Sequence, residues 1–345
     1  MHFPPIKDGG LGIRTVADSA NRNHNTSITL TKPLTNSIIT QSKNIPCKDE
    51  VKKAKSKANN LTATAASNLK KDVMENMNNI TKRSVEQTQQ PGASSWLGAL
   101  PLKSQGMNLS KEEFQDALCL RYDKNLKNLP SKCACNMDFT VTHAMNCKKG
   151  GFINARHDNI RDFDCKLLEK VCTDVESEPH LQPVNGRRFK AQVNVSDEAR
   201  ADLRARGFWR PGQNGFFDLC ITNAEAESQN EKTVAAVLRS KETMKKGKYN
   251  TRIMEVDQGT FTPLVLTVKG VMGHECEKFH KALAEKIARK KGERYEDIMR
   301  YIRIKISFLI TKAALLCLRG TRANYKQNMD EGDDFSYKLN ELGGY

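Results

Sequence analysis

The sequence predicts an α/β domain of the α+β kind, a few short strands flanked by helices, behind a partly disordered N-terminal segment. Two observations point there. Of the 13 Phe, 7 Tyr and 2 Trp residues, only Phe3 precedes Trp96. Residues 1–95 therefore lack the large side chains whose burial offsets chain entropy, and a weakly folded basic segment is expected there. Beyond Trp96, helical periodicity alternates with short strand-like runs, which is the pattern of a mixed domain.

The elements follow in order. Val51, Ala54, Leu69, Val73 and Met77 are spaced near a helical period, so some helix is expected between residues 49 and 87. The run from Gln89 to Ser95, with Pro91 and Gly92, reads as a linker. Ser110 and Glu113 have capping-box spacing ahead of Phe114, Ala117 and Leu118, which starts a helix. Residues 96–155 thus form a helical segment that carries a Cys/His cluster. A helix is expected from Ile160 to Val175, with Phe163, Leu167, Leu168 and Val171 on its apolar face. Two strand-like runs, separated by Pro211-Gly212, cover residues 201–223. A helix follows from Val234 to Lys246, then strands at 252–256 and 262–268. Two long helices, 275–290 and 295–318, end the domain. An acidic tail, 323–345, is expected to be flexible.

Charge narrows the partners. The chain carries 56 basic and 40 acidic residues, a net charge of +16. Such a surplus fits a polyanion, DNA or RNA, or an anionic surface. No window holds the roughly 18 consecutive apolar residues that span a bilayer, and Pro4, Pro5, Lys7 and Asp8 interrupt where a signal peptide would be apolar. Ten cysteines in 345 residues do not make a disulfide scaffold. They suit a reducing compartment, nuclear or cytoplasmic, as thiols and metal ligands.

Cys133, Cys135, His143 and Cys147 place four soft or borderline donors within fifteen residues. That set can surround one Zn²⁺ tetrahedrally, and four protein ligands leave no open position for catalysis. Buried thiols beside a surface histidine, or a redox dithiol at Cys133 and Cys135, are the other readings. Next come Lys148, Lys149, Gly150, Gly151 and Phe152, then Arg156, His157, Asp158 and Asn159. Glycines allow close backbone approach and the cations suit phosphates, whereas the bland reading is a solvated turn into a helix cap.

Asp202 and Asp218 each sit in an apolar strand-like run, where Asp is depleted. Side-by-side strands would bring both carboxylates to one Mg²⁺. Glu178, expected at the end of the preceding helix, and Glu255 are further acids. Lys245, with Lys246 and Lys248 close behind, could orient or deprotonate a water. The alternative is ordinary ion pairing, with Asp202 held between Arg200 and Arg204.

One ordered series of motifs, across residues 96–322, resembles a known family. It runs through Leu100-Pro101-Leu102, the Cys-x-Cys…His…Cys cluster, Gly150-Gly151-Phe152, Arg156-His157-Asp158-Asn159, Glu178-Pro179 and Leu181. It continues through Ala199-Arg200-Ala201-Asp202-Leu203, Gly207-Phe208-Trp209, Phe216-Phe217-Asp218, Glu242, Lys245-Lys246 and Tyr249-Asn250. Arg252-Ile253-Met254-Glu255-Val256, Gly259 to Val265, and Leu318-Arg319-Gly320 close it. The series resembles the C-terminal region of reverse-transcriptase-like proteins of invertebrate non-LTR retrotransposons. There a zinc knuckle precedes a restriction-like endonuclease. Phe3 to Ala20, with Asp8-Gly9-Gly10-Leu11-Gly12-Ile13-Arg14, is similar to the segment that trails the polymerase's last subdomain in those proteins.

The resemblance implies a PD-(D/E)xK-like core over residues 156–322, with a small mixed sheet. It implies Asp202 and Asp218 as ligands of catalytic Mg²⁺, with Lys245 moved off the second strand onto the following helix. Cys220, two residues after Asp218, fits that migration. Lys148, Lys149, Arg156 and His157 are the expected nucleic-acid contacts. Ala201 stands where the namesake motif has proline, and no Tyr-x-Asp-Asp occurs, so polymerisation is not expected. The implied function is a Mg²⁺-dependent DNA endonuclease-like fragment with structural Zn²⁺. The alternative is a catalytically inactive zinc-knuckle nucleic-acid-binding protein. A basic structural protein for acidic partners is a third class.

Overall fold

A computed structural model describes residues 5–13, 16–42, 48–229 and 231–320. The expected acidic tail, 323–345, lies outside the described residues. The chain divides into two compact units, Met1–Gln89 and Gln90–Tyr345.

The first unit holds α1 (Val16–Ile39), α2 (Lys48–Glu75) and α3 (Asn79–Thr88), with α1 against α2. The α1 helix goes beyond the composition-based expectation of a weakly folded segment. Its aliphatic side chains Ile28, Leu34, Ile38 and Ile39 nevertheless stay at least half exposed. Asn78 caps α3, its side chain accepting from the Thr81 N–H at 2.7 Å.

The second unit is built on a four-stranded sheet in the order β1-β2-β3-β4 (Thr173–Ser177, Leu203–Arg206, Asn214–Thr222, Thr260–Thr267). The first three strands are antiparallel and β4 runs parallel to β3. The sheet is therefore mixed, as expected. A parallel pair needs a crossover, and α7 (Val234–Glu255) supplies it. Pro263, which has no N–H to give a ladder, sits on the edge strand β4, where it is tolerated.

Helices cover both faces. Tyr249 and Ile253 of α7 pack on Phe216 and Phe261 of one face. Against the other lie α6 (Phe152–Leu168), α8 (His274–Lys291) and α9 (Tyr295–Arg319). Its centre is aromatic: the Phe217 ring lies 5.4 Å from Phe208 and 4.9 Å from Phe279, centroid to centroid. The Ser110–Glu113 capping box forms at the start of α4 (Lys111–Arg121). The short α5 (Val141–Asn146) follows.

Two expectations are corrected. Residues 252–256 are not a strand, because α7 continues to Glu255. Its apolar residues Tyr249 and Ile253 are four apart and share the buried face, so the helical period simply runs on. The helix expected from Ile160 to Val175 ends at Leu168, and Thr173–Ser177 is strand β1. That strand is mostly exposed and lacks an apolar alternation. Cross-strand pairs hold it instead, Glu176 to Arg204 at 2.7 Å and Asp174 to Arg206 at 3.6 Å.

Between α6 and α8 lies an ion pair with no solvent exposure. His280 Nε2 is 3.0 Å from Asp164 Oδ1, and His280 Nδ1 is 2.9 Å from the Cys276 carbonyl oxygen. Burial opposes charge on His280, but Asp164 and Cys276 outweigh it and raise its pKa well above the ordinary value. The folded-state pKa lies above the unfolded one. The pair's contribution is thus fully present below about pH 6.5 and lost as pH rises through the raised value. Asp164→Asn is expected to cost about 3–5 kcal/mol in denaturant melts, because it strands a buried charge. It should also flatten the fall in stability on the alkaline side.

Candidate metal centre and acidic site

The Cys/His cluster is assembled by a tight turn and a short helix. The Asn136 N–H donates to the Cys133 carbonyl at 2.8 Å, and the Cys133 N–H to that of Met137 at 2.9 Å. Asn136 takes φ +67°, a left-handed conformation that Asn tolerates, so Cys133 and Cys135 both turn inward. Thr140 caps α5 through the His143 N–H, which sets His143 on the first turn.

The four donor atoms lie within 4.8 Å of one another. Cys133 Sγ is 3.6 Å from Cys147 Sγ, Cys135 Sγ is 3.8 Å from Cys147 Sγ, and His143 Nε2 is 3.3 Å from Cys135 Sγ. A tetrahedron with Zn–S bonds of about 2.3 Å has S–S edges of about 3.8 Å, so the spacing fits. Burial resists ionisation of Cys133. The Cys135 N–H and hydrogen bonds from His143, Cys135 and Cys147 overcome it and bring the thiol down to about 6. Cys147 is pushed up by burial and by the thiolate beside it. One thiolate is thus favoured and the rest ionise on metal binding, with proton release. The cluster can hold a metal such as zinc.

Asp202 and Asp218 come from neighbouring strands. Leu203 pairs with Phe217, so Asp202, one residue outside β2, stands across from Asp218 on β3. The Asp202 N–H donates to the Phe217 carbonyl at 3.0 Å, continuing the ladder. Each carboxylate has its own basic partner. Lys245 of α7 pairs with Asp218, whose side chain is only 5% exposed. His157 of α6 brings Nε2 to 3.1 Å from Asp202 Oδ2, which also accepts the Leu219 N–H.

These partners split the two acids. Burial pushes Asp218 up, Lys245 pulls it back, and the charge of Asp202 raises it again, for a net rise. Burial also works against Asp202, but His157 and the Leu219 N–H hold it below the usual carboxylate range. Lys245 is raised, because Asp218 outweighs its burial, and so it stays protonated. Of the other lysines of α7, Lys246 turns away to pair with Glu275 of α8, whereas Lys248 shares the face of Lys245 and lies over the Tyr249 ring at 4.8 Å.

Other expected residues lie elsewhere. Glu178 follows strand β1 instead of ending a helix, and its carboxylate is engaged by Arg161 and Arg200. Its N–H donates to the Asp202 carbonyl at 2.9 Å, so it supports the backbone there. Asp202 itself pairs with neither Arg200 nor Arg204 among the described residues. Arg156 to Asn159 lie inside α6, not in a turn. Arg156 falls on the stripe with Ile160, Phe163 and Leu167, and the residue is 3% exposed. Burial lowers its pKa, and it is not presented to phosphate at the surface. Lys148 and Lys149 stay exposed in the turn before α6. Gly150 and Gly151 there have φ of +83° and +69°, conformations that glycine allows.

Two further residues shape the site: Arg161, which sequence reasoning passed over, and Glu242, which entered it only within the motif series. Arg161 secures Glu178, and Glu242 of α7 accepts the Glu275 N–H at 3.0 Å, capping the first turn of α8. Neither has a sequence pattern of its own. No helix of the described residues is long and apolar enough to cross a membrane. No protein-family model and no curated protein matches the chain.

Purified protein is expected to carry about one zinc per chain on elemental analysis. Cys147→Ala removes a ligand and should weaken zinc by more than the roughly 10–100-fold typical of losing an outer partner. Titrated with a coloured zinc chelator, the wild type should yield zinc only at higher chelator concentration than the variant.

Proposed function

We propose that this chain is a Mg²⁺-dependent DNA endonuclease of the PD-(D/E)xK kind, carrying a structural zinc knuckle. The motif series supports the further reading that it derives from the C-terminal part of a retrotransposon reverse-transcriptase-like protein. The observation that carries the proposal is the cross-strand placement of Asp202 and Asp218 with Lys245 on them.

The acids offer oxygen donors of the kind that Mg²⁺ prefers, and they would hold it from two adjacent strands. A divalent cation there supplies stabilisation of the negative charge that builds on a scissile phosphodiester. The residues of the chain do the rest. Lys245, protonated, holds an anionic oxygen or the attacking water by charge instead of taking a proton. His157 fixes the Asp202 carboxylate through Oδ2. Hydrolysis then joins a water oxygen to phosphorus and breaks the bond to one ester oxygen, which leaves with a proton. The net charge of +16 favours capture of DNA, or of RNA, whose backbone has the same charge.

A second reading has one observation behind it. Both carboxylates already have basic partners within the protein, His157 and Lys245, as a binding protein that has lost cleavage would require. Plasmid nicking with Mg²⁺ separates the two. The enzyme reading expects nicking that falls at least about 100-fold in Asp218→Ala, with DNA affinity retained. Equal background nicking by wild type and variant would leave the binding protein.

A further inference from the structure

The chain between β1 and β2, residues 178–202, has no regular strand or helix apart from isolated pairing. Connections longer than about 12–15 residues without secondary structure are uncommon in compact domains and are usually functional. This one is held firmly. Arg252 of α7 has no solvent exposure, and its guanidinium donates to the Asn194, Ser196 and Gln182 carbonyls at 2.7, 2.8 and 2.8 Å. The Gln182 N–H donates to Asp257 at 3.0 Å, and the Asn194 N–H to the Lys248 carbonyl at 2.9 Å. Leu181 and Ala199 anchor its two ends in the cluster with Tyr249 and Ile253.

The loop's position and charge point to a use. It ends at Asp202, and Asn194 is bonded to the backbone of Lys248, one turn beyond Lys245. Its outer part carries Arg187, Arg188 and Lys190. Arg187 donates to the Glu255 carbonyl at 2.6 Å, at the end of α7, and so anchors the tip. Arg188 and Lys190 are exposed, and among the described residues no carboxylate pairs with either. Lys248 is exposed and Lys241 half-buried, and among the described residues no carboxylate pairs with either. With Lys245 these are spaced i, i+4 and i+7, on one face of α7. The acidic residues of the loop, Asp197 and Glu198, lie on its return arm.

We infer that Lys241, Lys248, Arg188 and Lys190 form a backbone-binding track for DNA, leading to the Asp202–Asp218 site along α7 and the loop that Arg252 pins. This rests on the nuclease reading and names the surface through which that site would take its substrate. The track reads phosphates, not bases, because charged side chains without carboxylate partners, on a loop and one helix face, offer charge alone.

The test is anisotropy of a labelled 30-base-pair duplex, and of one of its strands, titrated with full-length protein over a range of KCl without added divalent metal. Each phosphate contact contributes about 0.9 to the slope of log affinity against log salt on duplex DNA. Arg188→Gln with Lys190→Gln is expected to lower the duplex slope by about 2. Lys290→Gln with Lys291→Gln, at the far end of α8, should leave it unchanged. Arg252→Lys keeps the charge but loses the planar fork, and should lower the slope as the loop double variant does if it folds. A loop double variant with the wild-type slope overturns the track while plasmid nicking still tests the enzyme. Wild-type binding that ignores salt overturns the track and the nucleic-acid reading together.

Discussion

Asp218 is a carboxylate in the middle of a strand covered by helices on both faces, and such a charge has to be answered from within the protein. Lys245 answers it, and much of the domain is set by that contact. Leaving either charge buried alone would cost about 3–5 kcal/mol. An α-helix turns about 100° per residue, so placing Lys245 over Asp218 also settles where its neighbours point. Glu242 and Lys246 face α8, where they engage its first turn. Tyr249 and Ile253 face the sheet. The crossover between the parallel strands therefore has one workable rotation.

The second carboxylate is answered differently. Asp202 is met by a histidine from α6 and by a backbone N–H of the adjacent strand. Two acids one strand apart thus sit in unlike fields, one held ionised and the other pushed toward protonation. That asymmetry is what a site needs if its two acids are to play different parts at one pH. It arises from three separate elements converging on the step between the two central strands of the sheet.

What could be read from the sequence depended on whether the relevant pattern was local. The α8 and α9 helices have long apolar periods and were legible almost to the residue. So was β3, whose apolar run from Phe216 to Ile221 is interrupted only by Asp218. The Cys/His set was legible from spacing, because its ligands span fifteen residues. Strand β1 was not, since an exposed strand held by ion pairs has no hydrophobic signature. The last turns of α7 were misread because Ile253 and Val256 suit a strand equally well. Arg156 and Glu178 were named by type, but type does not say which way a helix faces or which arginine lies near. The role of Arg252 depends on carbonyls more than fifty residues away, and no local pattern encodes that.

The Cys/His cluster supplies only part of its own hydrophobic floor, through Phe139, Ala144 and Met145. Its buried neighbours Ala314, Cys317 and Leu318 belong to the last turns of α9, and Val268 follows β4. The same α9 helix, about 37 Å long at 25 residues, packs its Ile302, Ile306 and Ile310 into the main core. The cluster is therefore not a detachable module. Transplanted to another protein it would arrive without half of its packing, and excised from this one it would uncover the end of the longest helix in the sheet-bearing unit. The cluster and the sheet are parts of one compact unit, Gln90–Tyr345, and damage to either is felt by the other.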